Sequence, residues 1–274
     1  MADGLLMIAG GAAAGVFGSL LGLGGGILIV PLLTLGFGLD LRQAVGVSLV
    51  AVIVTSGASA GVYLQRHVAN LRLGMTLELF TAIGALIGGL VAFLLSDRVL
   101  AGLFAGLLVY AAVSMLRRGR ADEAASPEDV EAVPVSMNGT PFAQSLGGPG
   151  YAVSRLGLGA AGSVGAGVVS ALLGIGGGLV KVPVMHLVMG VPLRVATATS
   201  NLMIGVTASA SAVIYLLRGE IDPFVAGPTA IGVFLGASLG SRTAHRIDLR
   251  YLRILFVVVL LYTAVQMVRR AVGA

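Results

Sequence analysis

Apolar residues along this chain come in long blocks, and polar positions are confined to short gaps between them. An α-helix needs roughly 20 apolar residues to cross the hydrocarbon of a bilayer. Blocks of that length predict helices over 42–64, 73–95 and 98–116 in the first half, and over 193–217, 224–241 and 252–268 in the second. Ahead of each set stands an apolar stretch that glycines interrupt, at about 5–38 and 157–190. The pattern is that of an all-α, polytopic membrane protein.

The interruptions are copies of one another. Leu20-Leu-Gly-Leu-Gly-Gly-Gly-Ile-Leu-Ile-Val-Pro31 returns as Leu172-Leu-Gly-Ile-Gly-Gly-Gly-Leu-Val-Lys-Val-Pro183, an offset of 152 residues from Leu20 to Leu172. At the same offset Arg42 meets Arg194, Ser48 meets Ser200, Thr55 meets Thr207, Ser59 meets Ser211, Tyr63 meets Tyr215 and Arg66 meets Arg218. Gly84 and Gly88 meet Gly236 and Gly240 without a gap. Roughly a third of the positions from 15 to 98 are identical to their partners, more than shared hydrophobicity explains. The chain is therefore expected to hold two homologous membrane repeats, 1–118 and 156–274. Each would consist of a glycine-broken helical hairpin and three transmembrane helices. The segment 119–155, rich in Asp, Glu, Pro, Gly and Ser, reads as a solvent-exposed linker.

Loop charge bears on how the halves are oriented. In the first half, the loop 65–72 carries Arg66, His67 and Arg72, and the next loop is neutral. In the second half, Arg218 is offset by Glu220 and Asp222, and the four arginines fall in the following loop, 242–253. The positive loop has changed sides of the third helix, which favours inverted halves. Arg269 and Arg270 point the other way, to eight spans in parallel halves. Whether each glycine break turns a re-entrant hairpin or kinks a spanning helix stays open at this level.

Composition narrows the class further. Hydrophobic residues make up 57% of the 274, charged residues 11%, and the mean hydropathy is +1.01, too apolar for a soluble chain of this size. The 42 glycines sit within apolar runs, as small residues do in packed membrane helices. Net charge is +5, but the arginines lie in interhelical stretches and not on a clustered basic face, which argues against nucleic acid as a partner. Cysteine is absent and the histidines number 3, a poor set for disulfides, haem, iron–sulfur clusters or a metal site. No cofactor is expected. No nucleophile–base constellation supports an enzyme, and no cleavable signal peptide is evident, because the first apolar stretch lacks a basic flank.

Candidate chemistry gathers at the breaks. Irregular backbone at membrane depth is tolerated only where it lines a cavity or is buried in protein. Gly24, Gly25 and Gly26, with Gly176, Gly177 and Gly178, could expose N–H groups to a small anion where a short helix begins. The plainer reading is close helix packing. Lys181, the only lysine, follows Gly178 by three residues where the first half has Ile29. An ammonium at that depth costs on the order of 3 kcal/mol and favours an anionic ligand over a cation. Ser48, Thr55, Ser200, Asn201 and Thr207 line the next helix of each half, as hydrogen-bond donors or as helix–helix contacts. Glu78 and His186 are candidates for proton coupling. For Glu78 the plainer reading is solvation near the interface, and for His186 it is a hydrogen-bonded packing residue. Arg42 and Arg194 read as headgroup anchors or caps of the short helices.

The pair Gly22-Leu-Gly-Gly-Gly26 with Val30-Pro31, and Gly174-Ile-Gly-Gly-Gly178 with Lys181-Val-Pro183, resembles the sulfite exporter TauE/SafE family, also called the toluene sulfonate uptake permease family. Ala198-Thr-Ser-Asn-Leu202 and Leu217-Arg-Gly-Glu-Ile-Asp222 are similar to the family's pattern after its second motif. The resemblance spans both halves without the linker. It implies a multi-pass secondary transporter of the bacterial or archaeal cytoplasmic membrane, moving sulfite, organosulfonates or related small organic acids, often outward, by alternating access. Its partners would be the lipid bilayer and a small anionic substrate, and a homodimer stays open. The competing expectations are a non-transporting scaffold or assembly factor, and a transporter of a carboxylate or a metal cation.

Overall fold

The computed structural model describes residues 2–21, 25–65, 69–124, 145–148, 151–243 and 249–272. Gly24, Arg66 and the side chains of Ser59 and Tyr63 lie outside the described residues. The described chain is helical, apart from one isolated bridge between Gly148 and Tyr151. Its helices are α1 (Ala2–Leu21), α2 (Gly26–Pro31), α3 (Leu41–Gln65), α4 (Leu71–Ala92), α5 (Asp97–Ala124), α6 (Leu156–Leu173), α7 (Gly178–Pro183), α8 (Leu193–Leu217), α9 (Pro223–Thr243) and α10 (Leu249–Val272). Among the described residues 7 helices are long and apolar enough to cross a membrane: α3 to α6 and α8 to α10. Leu79, Leu235 and Val258 are among many large apolar side chains exposed on their outer faces, where lipid would solvate them.

Both broken blocks fold back as hairpins. Gly25 has φ 76°, a left-handed backbone that a side chain would strain, and the chain there lies against the carbonyl of Ala14. From this point α2 returns along α1, and the side chain of Leu32 packs over Gly10. The second half turns in the same way. Gly174, Gly176 and Gly177 all have positive φ, Gly177 sits against Ala166, and the returning strand of chain packs Val184 on Gly162 and Met189 on Gly159. Pro31 and Pro183 close the short helices. Each lacks a ladder donor, and a π-helical turn follows, Leu32–Gly36 and Val184–Val188.

The hairpins open toward opposite ends of the bundle. At one end, Arg42 at the start of α3 donates to Leu95 O (2.6 Å) after α4, and reaches Asp97 at the start of α5 (3.4 Å). Phe93 packs there against Tyr215 in a tilted arrangement and lies under Arg218 at the end of α8, while Arg270 of α10 reaches Asp40. The π-turn after α2 leads directly into that end. At the other end, Asn70 before α4 donates to Leu146 O (2.8 Å) and the Tyr151 hydroxyl (2.7 Å), and its backbone N–H donates to Thr199. The π-turn after α7 ends there, where Ser154 N–H donates to Met189 O. Arg42 thus ties down the α4–α5 turn and does not cap the short helix, one of the two roles its position suggested, the other being a headgroup anchor.

Each hairpin packs on a helix from the opposite half. Gly84 and Gly88 of α4 lie on the backbone at Val164 and Val168 of α6, and Gly236 and Gly240 of α9 on that at Ala12 and Val16 of α1. These contacts are the same contact at the 152-residue offset, with the halves exchanged. The expected linker differs from expectation at both ends. Helix α5 continues to Ala124, and Leu146 and Val153 are buried, not exposed, against Leu73, Leu77, Val182 and Met185. Apolar side chains after the polar stretch seal the mouth of the second hairpin. Substituting Gly84 or Gly236 by Val drives a side chain into backbone and should cost at least about 1–3 kcal/mol. The corresponding change Gly106→Ala, where nothing lies within 4 Å of the added carbon, should leave the detergent-solubilised melting temperature near wild type.

Candidate functional site

The two breaks meet at Ser48. Its hydroxyl lies 2.7 Å from Gly174 O and 3.2 Å from Gly26 O, so it serves a carbonyl from each hairpin. A carbon added to Gly26 would lie 2.5 Å from Gly174 O, and only glycine permits that approach. In this conformation the centre is closed by a hydroxyl and carbonyls. The counterpart, Ser200, is fully buried near Gly178, and its hydroxyl has no hydrogen-bond partner among the described residues. Ser170 of α6 is likewise buried and unpartnered, and its Cβ flanks Gly177. A buried donor without a partner costs about 1–3 kcal/mol unless a water or ligand satisfies it.

Lys181 follows Gly178 by three residues in α7 and is 1% exposed. Its Nζ donates to Glu78 Oε2 at 3.0 Å and to Thr207 Oγ1 at 2.6 Å. The Thr207 hydroxyl lies 2.6 Å from Glu78 Oε1 and 3.2 Å from Met203 O, two acceptors for its single hydrogen. Three elements converge here: α4 supplies Glu78, α7 supplies Lys181 and α8 supplies Thr207. Glu78 is therefore not solvated at the interface. It is 8% exposed and paired, because α4 packs its inner face on the second hairpin. The lysine's charge is balanced in place, which a sequence cannot display.

The other candidates fall elsewhere. Thr55, the counterpart of Thr207, donates to Ala51 O within its own helix. Asn201 is buried, and its backbone carbonyl accepts from Ser56, whose oxygen in turn accepts from Gly205 N–H. His186 Nδ1 lies 2.9 Å from Val191 O, tying the second hairpin to the start of α8. Ser56 and Ser170 were missed by sequence reasoning. Ser170 has Gly18 as its counterpart, and an asymmetric serine beside a repeated motif was the available signal. A cleft of about 450 Å³ between α1, α2 and α10 is lined by Phe17, Leu28, Phe256 and other apolar residues, with no charged side chain, and does not include Lys181.

Comparison with known proteins identifies the setting of this site. The family model "Sulfite exporter TauE/SafE" matches residues 7–267. The chain belongs to the sulfite exporter TauE/SafE family. It is 26% identical over 271 residues to the "Probable membrane transporter protein YunE" of Bacillus subtilis, covering 96% of this chain and 97% of that one. A protein of Methanocaldococcus jannaschii, also named a probable membrane transporter, is 26% identical over 265 residues, covering 91% and 90%. No solved structure matches. The chain is a multi-pass membrane transporter, and the expectation of a scaffold gives way to that finding.

Removing one partner of a buried ion pair leaves the other charge uncompensated, at a cost of about 3–5 kcal/mol, whereas an apolar replacement of both is close to neutral. Lys181→Met and Glu78→Gln should each lower the melting temperature of the purified, ligand-free transporter. The double variant K181I/E78A, which copies the repeat counterparts Ile29 and Ala230, should recover most of the loss. Additive losses in this double-mutant cycle would show that the pair is not coupled.

Proposed function

We propose that the protein is a secondary transporter that exports a small sulfur oxyanion or organosulfonate by alternating access. The observation that carries this reading is Lys181: the chain's one ammonium, buried beside the second chain break with unpartnered serine hydroxyls at hand. The anion binds at Gly176, Gly177 and Gly178, with Lys181 supplying charge and Ser170 and Ser200 supplying hydrogen bonds, while Thr207 holds the Glu78 carboxyl. The first break, closed by Ser48, supports the site from behind through Gly25 and Gly26. The chain's 1–118 and 156–274 are inverted repeats, and rocking of one against the other exchanges access. The opposed mouths of the two hairpins support that reading.

Orientation follows from charge. By sequence, the Asn70 end and the connections that leave it hold 11 of the 16 arginines, among them Arg66, Arg117, Arg118 and Arg242, whereas the Arg42 end holds 5. The Asn70 end is cytoplasmic on the positive-inside rule, so the second hairpin opens to the cytoplasm, the side from which an exported anion enters.

Purified protein should gain thermal stability with millimolar sulfite or alkylsulfonate, by about 2.7 kcal/mol at a hundredfold excess over Kd. K181I/E78A should stay folded, lose that gain and lose saturable anion flux in liposomes. Undiminished flux in the double variant sinks the role given to Lys181. Because the chain has no cysteine, single replacements report its orientation cleanly. In intact cells an impermeant thiol reagent should label Ser96→Cys, and it should reach Ser145→Cys only after permeabilisation. The reverse pattern overturns the orientation.

A further inference from the structure

Glu78 and Lys181 come from different halves, yet the charges occur together or not at all. Their counterparts, Ala230 and Ile29, are both apolar, while the hydroxyl is kept on both sides as Thr55 and Thr207. A carboxylate held on the single buried ammonium is a resident anion at the place where the transported anion needs to be. We propose that Glu78 is the proton carrier of the transport cycle, and that the site moves one proton with each monoanion. This rests on the anion-transport reading above and adds its coupling and its charge selectivity.

The argument is one of charge balance. In the structure the site holds an ammonium and a carboxylate and is neutral. Adding an anion to that pair would leave a net negative charge in a dry, apolar setting, which is strongly disfavoured. Neutrality returns when Glu78 takes a proton. That proton enters from water with the anion and bonds to Glu78 Oε1, the oxygen 2.6 Å from Thr207 Oγ1. Thr207 then turns its own hydrogen to Met203 O, 3.2 Å away, and accepts from the new O–H. A hydroxyl with one hydrogen and two lone pairs can serve both states without moving. Lys181 is released to the anion, whose remaining oxygens meet the Ser170 and Ser200 hydroxyls. On release the proton leaves Oε1, the carboxylate re-forms its pair, and one proton and one monoanion have crossed.

The groups around Glu78 leave the exchange to this pair. Helix α4 packs on α6 and α8. The ionisable groups described on those elements are Arg72, Arg155, Arg194 and Tyr215, and none is bonded to Glu78, while His186 is bonded to Val191 O. Only two states of the site are neutral: the empty pair, and the pair with both proton and monoanion. Carriers cross in neutral states, so transport is electroneutral, a dianion is refused, and export runs down the anion's own outward gradient, which has to exceed the opposing inward proton gradient.

The test uses ethanesulfonate, a monoanion at every working pH, and ethane-1,2-disulfonate as the dianion, with the full chain in liposomes. Wild type should exchange ethanesulfonate across the membrane, accumulate it against its gradient under a pH gradient, and ignore a potassium-clamped membrane potential. Its Kd should tighten about tenfold per unit fall in pH, the linkage expected for one proton. The disulfonate should do none of this. Glu78→Gln, prepared with ethanesulfonate as counterion for Lys181, should lose pH-driven accumulation while anion-for-anion exchange persists, because its empty form carries an unpaired charge. Glu78→Asp should restore accumulation. Exchange without pH-driven accumulation in wild type, flux driven by potential, or accumulation by E78Q overturns the coupling alone. Absence of exchange with sulfite and every sulfonate tried overturns the anion reading beneath it. Should E78Q fail to fold, the pH dependence of wild-type Kd decides, and a flat profile overturns the proposal.

Discussion

A helix broken at membrane depth exposes backbone polar groups that no water is there to satisfy, and most of this architecture answers that constraint. The Gly26 and Gly174 carbonyls are served together by one hydroxyl, Ser48, on a helix that crosses between them. Below the breaks, Gly25 O and Gly177 O accept from the first turns of α2 and α7. Because the two breaks share a donor, neither hairpin can shift without affecting the other. The contact between the two halves is thus centred on the least regular backbone of the bundle.

The same packing explains where the charge sits. Each hairpin rests on a helix of the opposite half through glycines that allow backbone-to-backbone contact. This exchange carries α4 to the second hairpin, and with α4 comes Glu78. Lys181 thus finds its counterion across the repeat boundary, not on a neighbouring turn. The first hairpin rests on α9, where Ala230 takes the repeat position of Glu78 and Ile29 that of Lys181, so neither charge is present. One ancestral geometry supports a polar site on one side and an apolar one on the other.

Much of this was legible in residue order. Helix positions came from block length, and the expected spans agree with the observed ones to within a few residues except at the end of α5, which runs on to Ala124, because bilayer thickness sets the apolar length of a span whatever the tertiary fold. The two breaks were legible because glycine triplets followed by proline have few other uses in an apolar run. The burial of Leu146 and Val153 was not, since a polar, Pro- and Gly-rich neighbourhood outweighs two isolated apolar residues in any local reading. Nor was the pairing of Glu78 with Lys181, which are 103 residues apart.

By itself the sequence determined the membrane class, the duplication, the positions of the breaks and the one residue whose charge had to be explained. These are properties of composition and spacing, which act locally or repeat at a fixed offset. Tertiary structure alone decided that the breaks turn back as hairpins, that each leans on the opposite half, and that Lys181 is neutralised. The reason is physical: a buried charge is defined by what surrounds it, and its surroundings here are brought together from three helices by packing that no local pattern encodes.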